Sequence, residues 1–212
     1  MIQDLEICVK SLVSFEEMKK NMIDLGFHIQ EDFVLNDIYM VPKGVDISLK
    51  NEHQLFSNYI LIRETVGKQK LLVIKRKEID EQGKIINQES IKCPITDISK
   101  AFVFMEALGY QRLFEIQDHN ILMSNGKNEI YLQEIPNLGV YLEMEQKNLL
   151  LDNHNGETIE ELILNLNQYP LKIDSQNYFV KKASDALKEY LEKKHSSLLC
   201  FYEFLYELLI FF

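Results

Sequence analysis

The chain has 212 residues, 46% of them hydrophobic and 26% charged, which describes a globular protein with enough length for a substantial core. Its net charge is −10, from 23 Lys and Arg against 33 Asp and Glu; this excludes nucleic-acid binding through a broadly basic surface, though a local cationic cluster can still hold an anionic ligand. The cysteines Cys8, Cys93 and Cys200 are few, odd in number and far apart, and MIQDLEICVK lacks the features of a secretory leader, so no disulfide framework is implied and a cytoplasmic setting is expected.

The first element is a strand, DLEICVK at 4–10. In an extended chain Leu5, Ile7 and Val9 share one face, and Asp4, Glu6, Cys8 and Lys10 share the other. A helix follows at 14–27: Phe15, Met18, Met22 and Leu25 recur at helical spacing, Ser14 is placed to cap it and Gly26 to stop it. FVLNDIYMV reads as a strand ended by Pro42, and 58–77 as two strands around a turn at Gly67. KIINQESIKC is another strand. Asp97 opens a helix whose Ile98, Ala101, Phe102, Met105 and Leu108 form an apolar face, with Gly109 at its end. Four short strands then follow, QRLFEIQ, NILMSNG, NEIYLQEI and VYLEMEQK. TIEELILNLNQ and the stretch 177–194 read as helices. Consecutive strands joined by short turns predict an antiparallel α+β fold rather than a doubly wound one. Residues 1–193 are expected to form one domain, followed by an apolar tail, 194–212, expected to be helical.

The ionisable residues repeat the pattern of the first strand. Tyr141, Glu143, Glu145 and Lys147 share a face, as do Tyr59, Leu61 and Arg63, then Lys75 and Lys77 with Arg76 opposite, and Asp37 with Tyr39. Glu89 lies between Asn87 and Ile91 on one face of its strand. Each face alone could be the wet side of an antiparallel sheet. If the sheet closes on itself, the same faces converge on one axis. Carboxylates in E-x-E spacing stand about 6.6 Å apart along a strand, which suits oxygen ligation of Mg²⁺ or Mn²⁺, and lysines and arginines opposite suit phosphate oxygens. Acids and bases in one cavity fit a metal-bridged polyphosphate.

These residues, in this order, resemble the CYTH superfamily of class IV adenylate cyclases and thiamine triphosphatases, also called triphosphate tunnel metalloenzymes. The family's E-x-E-x-K strand corresponds to Glu6-Ile7-Cys8-Val9-Lys10, its D-x-Y strand to Asp37-Ile38-Tyr39, its L-x-R strand to the one ending at Arg63, and its lysine strand to the one holding Lys75. The late G-x-(F/Y)-x-E-x-E segment corresponds to Gly139-Val140-Tyr141-Leu142-Glu143-Met144-Glu145. The match covers about residues 1–190. The resemblance implies a closed antiparallel tunnel of eight strands with flanking helices and a polar lumen. It implies Glu6, Glu143 and Glu145 as ligands of Mg²⁺ or Mn²⁺, Lys10, Arg63 and Lys75 as holders of the triphosphate, and catalytic roles for Lys10 and an inward Glu89. The ligand would be ATP, thiamine triphosphate or tripolyphosphate. The activity would be phosphoanhydride hydrolysis, with cyclisation of ATP to cyclic AMP and pyrophosphate, or binding without catalysis, as the alternatives.

Several positions depart from the family pattern. Cys8 stands where the second acid of the first motif belongs, with Asp4 as a nearby stand-in. Asp118 and Asn120 stand where a basic pair is usual, with His119 and Arg112 as neighbouring cations, and Gln133 replaces a late aspartate. Loss of two cations weakens triphosphate binding, and loss of a carboxylate weakens the metal site. The five histidines lack ligand spacing. The tail, LLCFYEFLYELLIFF, is too short to span a bilayer and lacks the Lys and Arg of a surface-bound helix. It reads as a packed terminal helix or an oligomer contact, which leaves a homodimer open.

Overall fold

The computed structural model describes residues 5–79, 85–146, 158–180 and 182–195. The expectations for Asp4, Lys147, Cys200 and the 196–212 tail lie outside them. In chain order the elements are β1 (Glu6–Lys10), α1 (Phe15–Asp24), β2 (His28–Pro42), α2 (Glu52–Ser57), β3 (Asn58–Thr65), β4 (Gln69–Ile79), β5 (Ile85–Pro94), α3 (Ile98–Ala107), β6 (Tyr110–Ser124), β7 (Glu129–Ile135), β8 (Gly139–Glu145), α4 (Ile159–Asn167) and α5 (182–195).

The strands form one antiparallel sheet in the order β1-β8-β7-β6-β2-β3-β4-β5. It curls into an open half-barrel. The expected closure is therefore corrected: among the described residues no ladder joins β1 to β5. The free edge of β1 is taken by the segment before α5. Cys8 N–H donates to the Tyr178 carbonyl at 2.9 Å, and Val180 N–H donates to the Cys8 carbonyl at 3.0 Å. Backbone groups satisfied there are not available to a closing strand.

The outer face of the β1 half is apolar and covered by helices. Ile7, Val9, Leu132, Leu142 and Met144 pack with Met18 and Met22 of α1 and with Leu162 and Leu166 of α4. Each such side chain contributes about 1.5–3 kcal/mol by leaving water. Ser14 caps α1, its hydroxyl accepting from Glu17 N–H, and Gly26 beyond its end takes φ 88°, a conformation glycine adopts without a Cβ clash. On the other half Met105 of α3 packs on Met40, Ile60 and Ile62.

The inner face is divided. Leu55 and Phe56 of α2, and Ala186 and Leu187 of α5, fill one part against Tyr39, Tyr59, Leu61 and Phe114. The remainder is polar and open.

Some sequence expectations shift. QRLFEIQ and NILMSNG are one strand, β6, because β2 runs beside it from His28↔Ser124 to Pro42↔Tyr110 and supplies partners throughout, with two register shifts. Leu108, expected on the apolar face of α3, is the helix C-cap and 59% exposed. Among the described residues the last helix covers 182–195, and 178–180, expected to lie in it, pairs with β1 instead.

Candidate functional site

Alternation carries the inner-face residues to one place. Leu5, Ile7 and Val9 enter the outer core, so Glu6 and Cys8 face the interior of the curl. The register sets Glu6 opposite Glu145 and Cys8 opposite Glu143 on β8. Glu6, Glu143 and Glu145 each offer a carboxylate oxygen within 4.8 Å of the others. Across the curl, Lys75 and Lys77 of β4 approach Glu6 at 3.8 and 3.4 Å. Arg63 of β3 grips Asp37 of β2 through Nε and an Nη at 2.7 and 2.6 Å.

Two cavities that share part of their lining result. One of about 100 Å³ is lined by Glu6, Lys75, Lys77, Glu143 and Lys182. Another of about 410 Å³ is lined by Asp37, Arg63, Asp118, Asn120, Gln133 and Glu143, among others. Arg63, Glu143, Glu145 and Lys182 belong to both.

Burial and opposite charge set the ionisation. Burial alone would raise the Glu6 carboxyl, but the Lys75, Lys77 and Lys182 ammoniums together hold it well below the usual range. Burial opposes the charge of Lys75 and Lys77, yet Glu6, with Tyr59, keeps both above the ordinary lysine value. Burial likewise opposes Arg63, and Asp37 outweighs it. Cys8 is pushed up by burial, a setting for an inert thiol rather than a nucleophile. The Asp118 carboxyl is raised to about 6 by burial, with Glu143 and Asp37 adding and Lys182 opposing.

The expected site residues fare differently. Glu6, Glu143, Glu145, Arg63 and Lys75 come together. Lys10 does not join them: it lines neither cavity and is exposed, with its ammonium 5.6 Å from the Tyr141 ring centre and its Cε beside Gly139. Glu89 is corrected. It lies opposite Arg76, the two are 3.5 Å apart, and neither lines the cavities. The buried Gln88 stands opposite Lys77 instead. His119 and Arg112 do not supply cations to the lumen, since they pair with Asp32 and Glu115 at 2.9 Å.

Two cations escaped the sequence reading. In the sequence Lys77 is marked only by sharing Lys75's face. Lys182, at the start of α5, donates to Gln133 at 2.6 Å and Glu143 at 2.7 Å. Nothing local marks it among the lysines of 177–194, because its role depends on where α5 docks.

No protein-family model matches the sequence, and no curated protein matches it either. Solved structures do resemble the chain. The PH1012 protein from Pyrococcus horikoshii OT3 superposes with a TM-score of 0.59 at 14% identity, covering 82% of this chain and 96% of that one. Two proteins named "putative adenylate cyclase" also match. The one from Vibrio parahaemolyticus has a TM-score of 0.59 and 14% identity, over 90% of this chain and 98% of that chain. The one from Bacillus halodurans has a TM-score of 0.50 and 14% identity, over 82% and 94%. These likenesses, each at 14% identity, show a shared fold, consistent with the resemblance of the sequence motifs to the CYTH superfamily. Among the described residues no helix is long and apolar enough to cross a membrane.

Proposed function

We propose that the protein binds a triphosphate-bearing small molecule together with Mg²⁺ or Mn²⁺ and hydrolyses one of its phosphoanhydride bonds. The observation that carries this reading is the approach of Glu6, Glu143 and Glu145 to within 4.8 Å of one another, beside Lys75 and Lys77. An all-oxygen set of three carboxylates fits a hard divalent cation. Glu6 is ionised at neutral pH by virtue of its lysine neighbours, so it is ready to act as a ligand. Glu6, Glu143 and Glu145 would hold the cation, which when bound would neutralise charge and polarise a phosphoryl oxygen.

The chain's own residues would do the rest. Lys75 and Lys77 offer compact donors, and Arg63 a planar one, to phosphate oxygens. Lys182 sits between Glu143 and Gln133 and can exchange a carboxylate partner for a phosphate one. Burial strengthens each of these charge interactions over its value in water. A cytoplasmic setting completes the reading, supported by the free Cys8 and Cys93.

A second reading, binding without turnover, is favoured by the presence of Asp118, Asn120 and Gln133 in the cavity wall where a basic pair and an acid would be expected. Incubation with ATP or tripolyphosphate and Mg²⁺ or Mn²⁺, with products separated by ion chromatography, distinguishes the outcomes. Orthophosphate release that disappears in Glu143→Ala supports hydrolysis. Cyclic AMP with pyrophosphate means cyclisation. Metal-dependent binding without product supports the second reading. Absence of both binding and product overturns the proposal.

A further inference from the structure

β6 outruns its neighbour on one side. β2 lies beside it from Tyr110 to Ser124, but β7 accompanies it only over His119–Ser124. The stretch 111–118 therefore has a strand on one flank and, among the described residues, no backbone partner on the other. Such an edge is a template for a further strand, because its free N–H and C=O groups otherwise depend on water.

A groove lies on each face of this edge. The outer one, about 670 Å³, is bordered by Val34, Gln117, His119 and Glu134. The inner one, about 350 Å³, is bordered by Phe114 and Ile116 and by Ala186, Glu189, Tyr190 and Lys193 of α5. Glu189 and Lys193 neutralise each other at 2.7 Å. Both grooves end on the β7–β8 turn at Pro136, Asn137 and Leu138. An added strand sends successive side chains to opposite faces, so one extended segment fills both grooves while pairing with the edge.

The sequence supplies a segment with the matching pattern. Lys193, in the wall of the inner groove, lies two residues before the end of α5 at 195, and LLCFYEFLYELLIFF, 198–212, follows closely. Read with a period of two, Cys200, Tyr202, Phe204, Tyr206, Leu208 and Ile210 share one wholly apolar face. Phe201, Glu203, Leu205 and Glu207 share the other. Aromatic residues suit a strand. At about 3.3 Å per residue the open edge is about 25 Å long, and 198–212 can span nearly twice that. The tether to α5 gives this segment an effective concentration on the order of millimolar at the grooves, an advantage no free partner has.

We propose that part of 198–212 adds as a strand to the open edge of β6, between the β7–β8 turn and α5. The Tyr202, Phe204, Tyr206 face meets Phe114, Ile116 and Tyr190, and the Glu203, Glu207 face lies toward Gln117 and His119. A strand, unlike the helix expected from the sequence, satisfies the backbone groups of the edge together with its own. This surface is separate from the lumen and does not depend on the triphosphate reading.

The test is peptide-resolved hydrogen–deuterium exchange on the full chain, wild type against Phe204→Asp/Tyr206→Asp, with the molar mass measured by light scattering. The expected result is a monomer in which the amides of 111–118 exchange about tenfold or more faster in the variant, while 119–124, paired on both sides, keep their rates. In a Cys93→Ser background Cys200 should likewise react with a maleimide about tenfold faster once the two aspartates are present. Equal exchange of 111–118 in the two proteins overturns the proposal. So does unchanged labelling of Cys200. A wild-type dimer that dissociates in the variant also overturns it, because the edge is then covered by a second copy.

Discussion

Lys182 places its ammonium 2.7 Å from a Glu143 carboxylate oxygen, joining the first residues of α5 to the middle of β8. Burial opposes the charge on Lys182, yet Glu143, Cys8 and Asp118 hold it well above the ordinary lysine value. The contact is both part of the candidate site and a fastening for the element that borders it.

Removing Lys182 leaves Glu143 buried beside Glu6 and Glu145 with its direct cation gone. Lys182→Ala is expected to destabilise the protein by about 3 kcal/mol, read by urea denaturation. Adding Glu143→Gln should recover part of that loss, because the stranded charge is removed with its partner. Equal stability of Lys182→Ala and wild type would show that the pair contributes nothing.

Asp118 predicts a pH dependence of stability. Its carboxyl titrates near 3.8 in the ordinary state and at about 6 in the fold, so between these values the folded protein binds more protons than the unfolded chain. This group therefore subtracts stability as the pH rises from 3.8 to about 6, and the loss persists above. Asp118→Asn should stabilise at pH 7 by on the order of 3 kcal/mol and have little effect below the ordinary carboxylate range.

Glu6 acts in the opposite sense. Its folded value is depressed by Lys75, Lys77 and Lys182, so the stability it contributes is complete above its ordinary 4.5 and is lost as the pH falls further. Glu6→Gln should flatten the acid limb of a melting-temperature profile. A limb as steep as that of the wild type would contradict this assignment.

Glu89 and Lys75 stand on adjacent strands and should behave differently. Glu89 faces Arg76, whose side chain is 55% exposed, so Glu89→Gln should change stability by about 0–1 kcal/mol and leave tripolyphosphate binding unchanged. Lys75→Gln should weaken that binding about tenfold. Titration calorimetry on the two variants provides the comparison.

Met18 offers a control remote from the lumen. It is fully buried between α1 and the outer sheet face. Met18→Ala should cost about 2–5 kcal/mol while leaving ligand affinity unchanged in the folded fraction. Chemical denaturation and titration on the same preparation separate the two effects.

The sequence by itself determined the local faces. Leu5, Ile7 and Val9 alternate with Glu6, Cys8 and Lys10, and one register satisfies the apolar set, so the acid and thiol had to face inward. The same logic set Glu143 and Glu145 on one side of β8 and Lys75 and Lys77 on one side of β4. Ser14 and Gly26 likewise marked the ends of α1 through capping and backbone geometry that depend only on neighbours. The phase of β5 was not so determined. Asn87, Gln88, Glu89 and Ser90 are polar in succession, so neither register is favoured by burial, and pairing with β4 turned Gln88 rather than Glu89 inward. The open edge was decided by 178–180, which satisfied β1 from about 170 residues away, and the role of Lys182 followed from that docking. Alternation is a property of adjacent peptide units, whereas edge pairing and the meeting of Asp118, Gln133 and Lys182 depend on which distant backbone groups satisfy one another.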